Sequence, residues 1–250
     1  MDLNKLVNPH ILELEPYTPG TQPEGPGWIK LNTNELPFAP PQAVTEAIRI
    51  ETARLARYPN PTSSQLRKAL ADFHRLEPAQ VIVGNGSDDI LNLLARAFSG
   101  MDRSTFETFP SYSLYPVLTA IAGGKIQSIP FAEDFALPVS ELCASGADLL
   151  FLTSPNAPTG VQFPLEQLRA LASGFKGILV IDEAYAEFSD VSAIPLLAEF
   201  EHIVITRTFS KAYGLAGLRV GYALTRPEIV EILDRIRDSY NVNRLSQAGA

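Results

Sequence analysis

A lysine, an arginine and two hydroxyl side chains come together in the run TFSKAYGLAGLR, which extends from Thr208 to Arg219. Lys211 follows an apolar run, and Thr208 and Ser210 lie close to it in the sequence. An arginine binds phosphate through paired hydrogen bonds, hydroxyls add further ones, and a lysine amine can form an imine with a carbonyl carbon. A lone lysine after a strand is usually an exposed residue, but these neighbours together predict a phosphate site beside a reactive amine.

A carboxylate closes the apolar run ILVID, and a tyrosine follows it three residues later. A carboxylate at the end of a buried strand is costly unless it has a cationic partner. The protonated ring nitrogen of a cofactor would be such a partner for Asp182, and Tyr185 could then reach an oxygen of the same ring. Asp182 could equally be a Mg²⁺ ligand at the end of a nucleotide-binding strand, although no P-loop precedes it in the sequence.

Two further turns and a tyrosine are weaker indications of a ligand site. The turn SPNAPTG contains Asn156, whose amide could donate a hydrogen bond to a ring oxygen. Its two prolines and its glycine are equally typical of a stiff turn that binds no ligand. The turn GNGSDD places Ser87 and Asp88 where unpaired backbone N–H groups bind phosphate, or where a residue simply caps a helix. Tyr112 could stack on a flat ligand, although a single tyrosine more often packs in the core.

The residues above follow short apolar runs that alternate with helical stretches. We predict a strand before Tyr112 and further strands at Val81–Val83, Lys125–Ile129, Leu149–Leu152, Ile178–Ile181, His202–Phe209 and Val220–Ala223. We predict helices at Pro41–Arg57, from a cap at Thr62 or Ser63 to about Phe73, and at Asp89–Phe98, Pro164–Ala172 and Pro227–Tyr240. This order is typical of an α/β fold whose mostly parallel, mixed sheet is covered on both faces and binds ligands at the carboxyl ends of its strands.

The composition excludes several classes of protein. The 250 residues are 46% hydrophobic and carry a net charge of −8, so the chain can bury a core and is a poor candidate for binding nucleic acid. A single cysteine rules out an internal disulfide, and the three histidines are scattered, so we predict no metal site. No apolar run is long enough to cross a bilayer, and the first residues do not resemble a signal peptide. We therefore expect a soluble cytoplasmic protein.

The chain divides into two regions of different character. Residues 1–40 are rich in Pro, Gly and Asn and show no sustained period, so we predict an N-terminal arm on the substrate side. Residues 41–250 are then the ligand-binding large domain. The last residues, from Asn241 to Ala250, look like a turn and the opening of another helix without a C-cap, so we expect the natural protein to continue.

Taken in order, the Gly-rich turn, Tyr112, Asn156, Asp182, Tyr185, Lys211 and Arg219 resemble the aminotransferases of fold type I, which use pyridoxal 5′-phosphate (PLP). The resemblance implies an aspartate-aminotransferase-like large domain in which Lys211 carries PLP as a Schiff base. It implies that Asp182 holds the ring nitrogen, while Asn156 and Tyr185 hold the ring's 3′-oxygen. The phosphate would be bound by Arg219, Thr208, Ser210 and the backbone amides of Ser87 and Asp88.

Within that group the sequence is most similar to the histidinol-phosphate aminotransferases, through the phrases EPYTPG, LNTNE, RYPNP, GNGSDD and YNVN and the lysine loop. The resemblance implies a homodimer with shared active sites, in which Tyr58 reaches the phosphate of the neighbouring subunit's cofactor. It also places Tyr17 and Asn34 near the substrate. Leu36 departs from the family, which commonly has asparagine there. The resemblance also implies a C-terminal small domain with the arginine that clamps the substrate, and we expect that domain to lie beyond Ala250.

The reaction implied by the resemblance is transamination of L-histidinol phosphate with 2-oxoglutarate, giving imidazole-acetol phosphate and glutamate in histidine biosynthesis. Lys211 would act as the base and then the acid, with Asp182 and Tyr185 as the other catalytic residues. Two relatives with the same scaffold stay open as alternatives, an aromatic amino-acid aminotransferase and a lyase similar to threonine-phosphate decarboxylase. A non-catalytic binding protein of this fold would have no need of Lys211.

Overall fold

A seven-stranded mixed sheet organises the protein, for which a computed structural model describes residues 1–250. The strands are β1 (Val81–Gly84), β2 (Ser104–Phe109), β3 (Lys125–Pro130), β4 (Leu149–Thr153), β5 (Ile178–Asp182), β6 (Ile203–Thr208) and β7 (Gly221–Leu224). Their order across the sheet is β1-β7-β6-β5-β4-β2-β3. β7 alone runs antiparallel to the other six strands, so the predicted mostly parallel, mixed sheet is confirmed.

Helices lie between most of the strands. They are α1 (Pro9–Leu12), α2 (Gln42–Thr52), α3 (Ser64–His74), α4 (Ser87–Phe98), α5 (Leu114–Ile121), α6 (Val139–Ala144), α7 (Leu165–Gly174), α8 (Pro227–Ile236) and α9 (Arg244–Gly249). Short 3-10 helices occur at Leu3–Lys5, Pro78–Gln80, Ala186–Phe188, Ile194–Ala198 and Ala216–Leu218. The predicted helices are present, but α2 and α8 end earlier than expected. None of the helices is long and apolar enough to span a membrane.

The central strands separate two apolar layers. Residues that alternate along β4 divide between them, with Leu150 and Leu152 in one cluster and Leu149 and Phe151 in the other. In the same way Val180 of β5 and Val204 of β6 belong to the second cluster, which α4, α5 and α8 cover. Because both faces are buried, these strands read as continuous apolar runs in the sequence. That is why their positions could be predicted.

The predicted capping residue of α3 is wrong. Ser63 does precede the helix, but its backbone lies in the left-handed region at φ 51° and its side chain makes no capping hydrogen bond. Asn60 caps the helix start instead, because its Oδ1 accepts hydrogen bonds from the backbone N–H groups of Thr62 at 3.0 Å and of Ser64 at 3.1 Å. An asparagine side chain bonds readily to backbone N–H groups a few residues ahead, and this competes with a conventional cap.

Residues 1–40 contain no strand and only two short helical segments, and their side chains are mostly exposed. Two parts of this segment nevertheless contact the body of the protein. The ring of Tyr17 lies edge-on to Tyr112, with the centroids 6.4 Å apart. The backbone carbonyl of Thr33 accepts a hydrogen bond from Lys211 at 2.8 Å. The segment therefore reaches the edge of the sheet where the parallel strands end.

Candidate functional site

Three polar residues stand side by side where the central strands end. Thr153 of β4 is the register partner of Asp182 in β5, and Asp182 is the partner of Thr206 in β6. Each lies two residues after an apolar side chain on the same face of the sheet, namely Phe151, Val180 or Val204. A row of polar side chains across the three strands therefore lies next to a row of apolar ones. Asp182 has only 3% of its surface exposed. The predicted carboxylate therefore sits at the bottom of a pocket, between two threonines.

Asp182 is hydrogen-bonded by neutral groups alone. Tyr115 of α5 donates to its Oδ2 at 2.8 Å, and Thr206 donates to its Oδ1 at 2.9 Å. The charged side chain with a resolved effect on Asp182 is Asp88, which is also negative. Burial raises the pKa of Asp182 to about 6, against the lowering effect of the two hydrogen bonds. A buried carboxylate without a cation is costly, so this site is built for a cationic partner.

The opposite end of the pocket is suited to an anion. Arg219 follows the 3-10 helix Ala216–Leu218, and its guanidinium donates to Asp88 at 3.1 Å and to Ser210 at 3.3 Å. The first turn of α4 brings the backbone N–H of Ser87 to the same place, as the start of a helix does at phosphate sites. A Cβ on Gly221 would lie 2.2 Å from the nitrogen of Ser87, so only glycine allows β7 to pass so close.

Lys211 lies between these two ends. Its Nζ donates to the carbonyl of Thr33 and stands 5.8 Å from the ring centroid of Tyr185. Burial lowers the pKa of this lysine, and the nearby cation Arg219 adds to the effect, while Asp88 and Glu35 oppose it. A larger fraction of the amine is therefore neutral than in an exposed lysine, as a nucleophile requires.

The structure brings most of the predicted residues into one pocket. Its lining includes Ser87, Asp88, Tyr112, Asp182, Tyr185, Thr208, Ser210, Lys211 and Arg219. Tyr112 donates to Asp88 at 3.2 Å, and the hydroxyl of Thr208 accepts from the backbone N–H of Ser210 at 3.1 Å. Asn34 donates to the hydroxyl of Tyr185 at 2.9 Å, which places this predicted substrate residue at the rim.

Two predicted cofactor residues lie outside this lining. Asn156 is 2% exposed and belongs to the adjoining cleft, where it donates to the carbonyl of Pro110 at 3.2 Å and accepts from Thr159 at 2.7 Å. The two cavities share Tyr185, so Asn156 is a close neighbour of the pocket. Tyr58 is 77% exposed and stacks on Tyr240 with centroids 4.6 Å apart, away from the pocket of its own chain.

The sequence analysis missed the residues that support Asp182. Tyr115, Thr153 and Thr206 are each at most 2% exposed, and none was assigned a role. Thr153 and Thr206 come directly after the apolar parts of their strands, but only the order of the strands shows that they flank Asp182. Tyr115 follows Tyr112 by three residues, and this helical spacing was the one available signal.

A buried ion pair holds the same strands together on the other face of the sheet. Arg207 donates to Glu183 from Nε at 2.9 Å and from Nη2 at 2.6 Å, and both side chains are almost fully buried. Glu183 also accepts from Ser192 at 3.1 Å. Each residue directly follows a member of the polar row, Asp182 or Thr206. The pair therefore fixes the strand ends that position the pocket.

These features define the ligand that the pocket fits. It would carry a cationic ring nitrogen against Asp182, a phosphate against Arg219, and an electrophilic carbon near the amine of Lys211. A Cβ on Gly86 would lie 2.6 Å from Arg219, so the absence of a side chain there leaves the phosphate end open. PLP has all three features. The donor set of the pocket thus fits the cofactor that the sequence resemblance implies.

Comparisons with known proteins agree with this geometry. Residues 26–250 match the family model described as aminotransferase class I and II. Over 96% of its length the chain is 42% identical to histidinol-phosphate aminotransferase from Synechocystis sp., of which it covers 69%. It is 43% identical to the protein of that name from Geotalea daltonii, again over 96% of the chain and covering 70% of that protein.

A solved structure shows the same fold. Histidinol-phosphate aminotransferase from Sinorhizobium meliloti, in complex with pyridoxal-5′-phosphate, matches with a TM-score of 0.82 and 31% sequence identity. The match covers 87% of this chain and 61% of that one, so the chain spans less than two thirds of the solved protein. The predicted aspartate-aminotransferase-like fold is confirmed.

The uncompensated charge of Asp182 predicts a pH-dependent cost in stability. Because burial raises its pKa from 3.8 to about 6, the folded protein binds this proton more tightly than the unfolded chain does. The free energy of unfolding of the ligand-free protein therefore loses up to about 3 kcal/mol through this group as the pH rises from about 4 to above 6. Asp182→Asn cannot titrate, so we expect its stability relative to wild type to improve by roughly 2 kcal/mol between pH 4.5 and pH 8.

Urea unfolding at several pH values measures this difference. Glu107, whose pKa burial raises to about 7, is present in both proteins, so its contribution cancels. The control is Glu133→Gln, which changes an exposed carboxylate and should follow the wild-type pH profile. Parallel profiles for wild type and Asp182→Asn would contradict the prediction.

Proposed function

This chain belongs to the class I and II aminotransferase family, and from that premise we propose that it is the PLP-binding part of a histidinol-phosphate aminotransferase. The proposed reaction moves the amino group of L-histidinol phosphate to 2-oxoglutarate, giving imidazole-acetol phosphate and glutamate. Support comes from the name shared by relatives about 42% identical over nearly the whole chain. Residues 41–250 are the proposed large domain, and residues 1–40 the arm.

The observation that carries the proposal is the pocket itself. One cavity is lined by a buried carboxylate whose side-chain partners are neutral, by a half-buried lysine and by an arginine beside the first turn of α4. Asp182 would hold the ring nitrogen of PLP, Arg219 with Ser210 and the α4 N–H groups its phosphate, and Lys211 its aldehyde carbon. Tyr185 and the neighbouring Asn156 would hold the 3′-oxygen, with the Tyr112 ring on the cofactor face. When bound, the cofactor supplies an electron-withdrawing ring that stabilises negative charge at the substrate α-carbon.

Each catalytic residue then has a definite task. Asp182, ionised at neutral pH, keeps a proton on the ring nitrogen by stabilising its positive charge. Lys211 takes the proton from the substrate α-carbon with Nζ and returns a proton afterwards, which its lowered pKa favours. The carbonyl of Thr33 orients that amine, and Asn34 orients the hydroxyl of Tyr185.

We further propose that the enzyme is a cytoplasmic homodimer with shared active sites. Tyr58 is a large, exposed aromatic residue outside its own pocket, as expected of a side chain that serves a neighbouring subunit. Its ring is held by Tyr240, and Arg244 donates to its backbone carbonyl at 2.7 Å. A side chain fixed in this way, yet exposed in one chain, is suited to reach across an interface.

The first prediction of the proposed function concerns the covalent site. Purified protein incubated with PLP and then reduced with borohydride should carry the cofactor on Lys211, because this amine has a lowered pKa and lies inside the pocket. Peptide mass mapping locates the label. Lys176→Ala, which changes a lysine outside this pocket, should retain the label, whereas Lys211→Ala should lose it. A label that maps mainly to another lysine would overturn the assignment.

The second prediction concerns the substrate. The complete enzyme should prefer histidinol phosphate to phenylalanine by up to ~10⁴ in kcat/KM, because a site built to pair with a phosphate leaves buried polar groups unpaired when the donor lacks one. Steady-state rates with both donors and 2-oxoglutarate measure the ratio. Asp182→Asn should lose most turnover with either donor, since it acts on the cofactor rather than on the side chain of the donor.

Two results would contradict histidinol phosphate as the substrate and identify a different reaction. A preference for phenylalanine would make the protein an aromatic aminotransferase and leave the cofactor chemistry intact. Release of CO₂ from threonine phosphate would make it a decarboxylase. Neither result would affect the predicted label on Lys211, so the two experiments test the cofactor and the donor separately.

The third prediction tests the shared active site. Tyr58→Ala and Lys211→Ala should each be inactive, but mixing them should restore about one working site per heterodimer, because the pocket with Lys211 then receives Tyr58 from its partner. The control mixture is Asp182→Asn with Lys211→Ala. These two residues line one pocket of the same chain, so each hybrid site keeps a defect and no activity should return. Equal recovery in both mixtures, or none despite subunit exchange, would argue against sharing.

A further inference from the structure

We propose that Tyr115 is a positioning residue that, together with Thr206, holds the carboxylate of Asp182 ionised and turned into the pocket. The inference rests on the proposed function, because it assigns Asp182 to the cofactor. Tyr115 does not line the pocket and would touch neither cofactor nor substrate. It would act through Asp182 alone.

The two hydroxyls fix both oxygens of the carboxylate. Tyr115 donates to Oδ2 from α5 on one side, and Thr206 donates to Oδ1 from β6 on the other. With one donor on each oxygen, rotation of the carboxylate about its Cβ–Cγ bond breaks both hydrogen bonds. The plane of the group is therefore set by the protein before any ligand arrives, which lowers the cost of ordering it on binding.

The ring of Tyr115 is itself held in place. It stacks on Phe151 of β4 with centroids 4.7 Å apart and an angle of 8° between the planes, and Tyr112 meets it edge-on at 5.6 Å. Tyr115 has no exposed surface. The hydroxyl cannot swing to water, so its hydrogen bond to Asp182 is kept.

A chain of hydroxyl groups leads to the carboxylate. Tyr115 lies 2.7 Å from the hydroxyl of Thr153, which in turn lies 3.2 Å from the hydroxyl of Ser111. An ionised carboxylate only accepts, so the single proton of Tyr115 points to Asp182, Thr153 donates to Tyr115, and Ser111 donates to Thr153. Each donation polarises the next group in the same direction, which strengthens the final hydrogen bond.

Hydroxyl donors leave the charge of Asp182 available to a ligand, which a cation would not do. An arginine beside Asp182 would cancel its charge, whereas hydroxyls stabilise the anion and leave its charge available to a ligand. Tyr115 of α5 bonds Asp182 directly, and the other titratable groups around the pocket are Asp88 of α4, Tyr112, Tyr185, Lys211 and Arg219. Asp88 opposes ionisation, and burial opposes it more. The two hydroxyls, together with the backbone N–H of Ala184, thus favour the ionised form of Asp182.

The test is the titration of Asp182 in the ligand-free protein. The C=O stretch of its protonated form is followed by infrared spectroscopy in D₂O and assigned by its absence in Asp182→Asn. In Tyr115→Phe we expect the titration midpoint to rise by roughly one to two pH units, the equivalent of one hydrogen bond to a charged group. The matched control is Tyr222→Phe, which removes another buried tyrosine hydroxyl, one that bonds His74 on the opposite face, and should leave the midpoint unchanged.

A second measurement is the steady-state kinetics of the complete enzyme with PLP. Tyr115→Phe should lower kcat roughly tenfold or more and leave KM for the donor nearly unchanged, because the lost interaction acts on the ring nitrogen and not on donor binding. A purely structural role would lower the folded fraction without changing the midpoint. If Tyr115→Phe does not fold, Thr206→Val removes the donor to the other oxygen and should raise the midpoint in the same direction.

An unchanged midpoint in a folded Tyr115→Phe or Thr206→Val protein would overturn the inference. The result does not depend on the cofactor assignment, because the titration uses ligand-free protein. If PLP failed to label Lys211, the proposed function would fall while the titration still decided whether Tyr115 controls Asp182.

Discussion

A buried carboxylate whose side-chain hydrogen-bond partners are all neutral is the constraint around which this protein is arranged. Asp182 ends the central strand at 3% exposure, and its two direct side-chain partners are neutral hydroxyls. Such a group weakens the ligand-free fold, so the surroundings must be stable enough to tolerate it. Two apolar layers, continuous through the central strands, provide that stability.

The sheet order explains how distant parts of the chain meet at this charge. Parallel β4, β5 and β6 end at the same edge, and antiparallel β7 begins there. Because β7 also pairs with β1, the start of α4 and the guanidinium of Arg219 arrive at the same place. Lysine, carboxylate and phosphate-binding groups are therefore neighbours in space because of strand pairing, although up to about half of the chain separates them.

The sequence allowed prediction of the polar residue at the end of each strand, but not of the residues from other elements that contact it. Asp182 and Lys211 could be found because each follows an apolar run, and an ionisable group in that position needs a reason. Tyr115 and Thr206 could not, because their importance arises only from the order of the strands and the placement of α5. The role of Asn156 at the cofactor stays a prediction: its amide donates to Pro110, in the cleft that adjoins the pocket. The cap at Ser63 was wrong because Asn60 competed locally for the same N–H groups.

Asp182 and Glu183 are adjacent acids on opposite faces of the sheet, one facing hydroxyls and the other facing Arg207. A slip of one residue would exchange the faces, so that an apolar side chain or the longer acid stood at the pocket while Arg207 lost its partner. Insertion or deletion of one residue in this strand would therefore disturb the pocket more than exchange of one apolar residue for another of similar size. In this segment, the number of residues before the acid pair constrains the pocket more tightly than the identity of the apolar residues does.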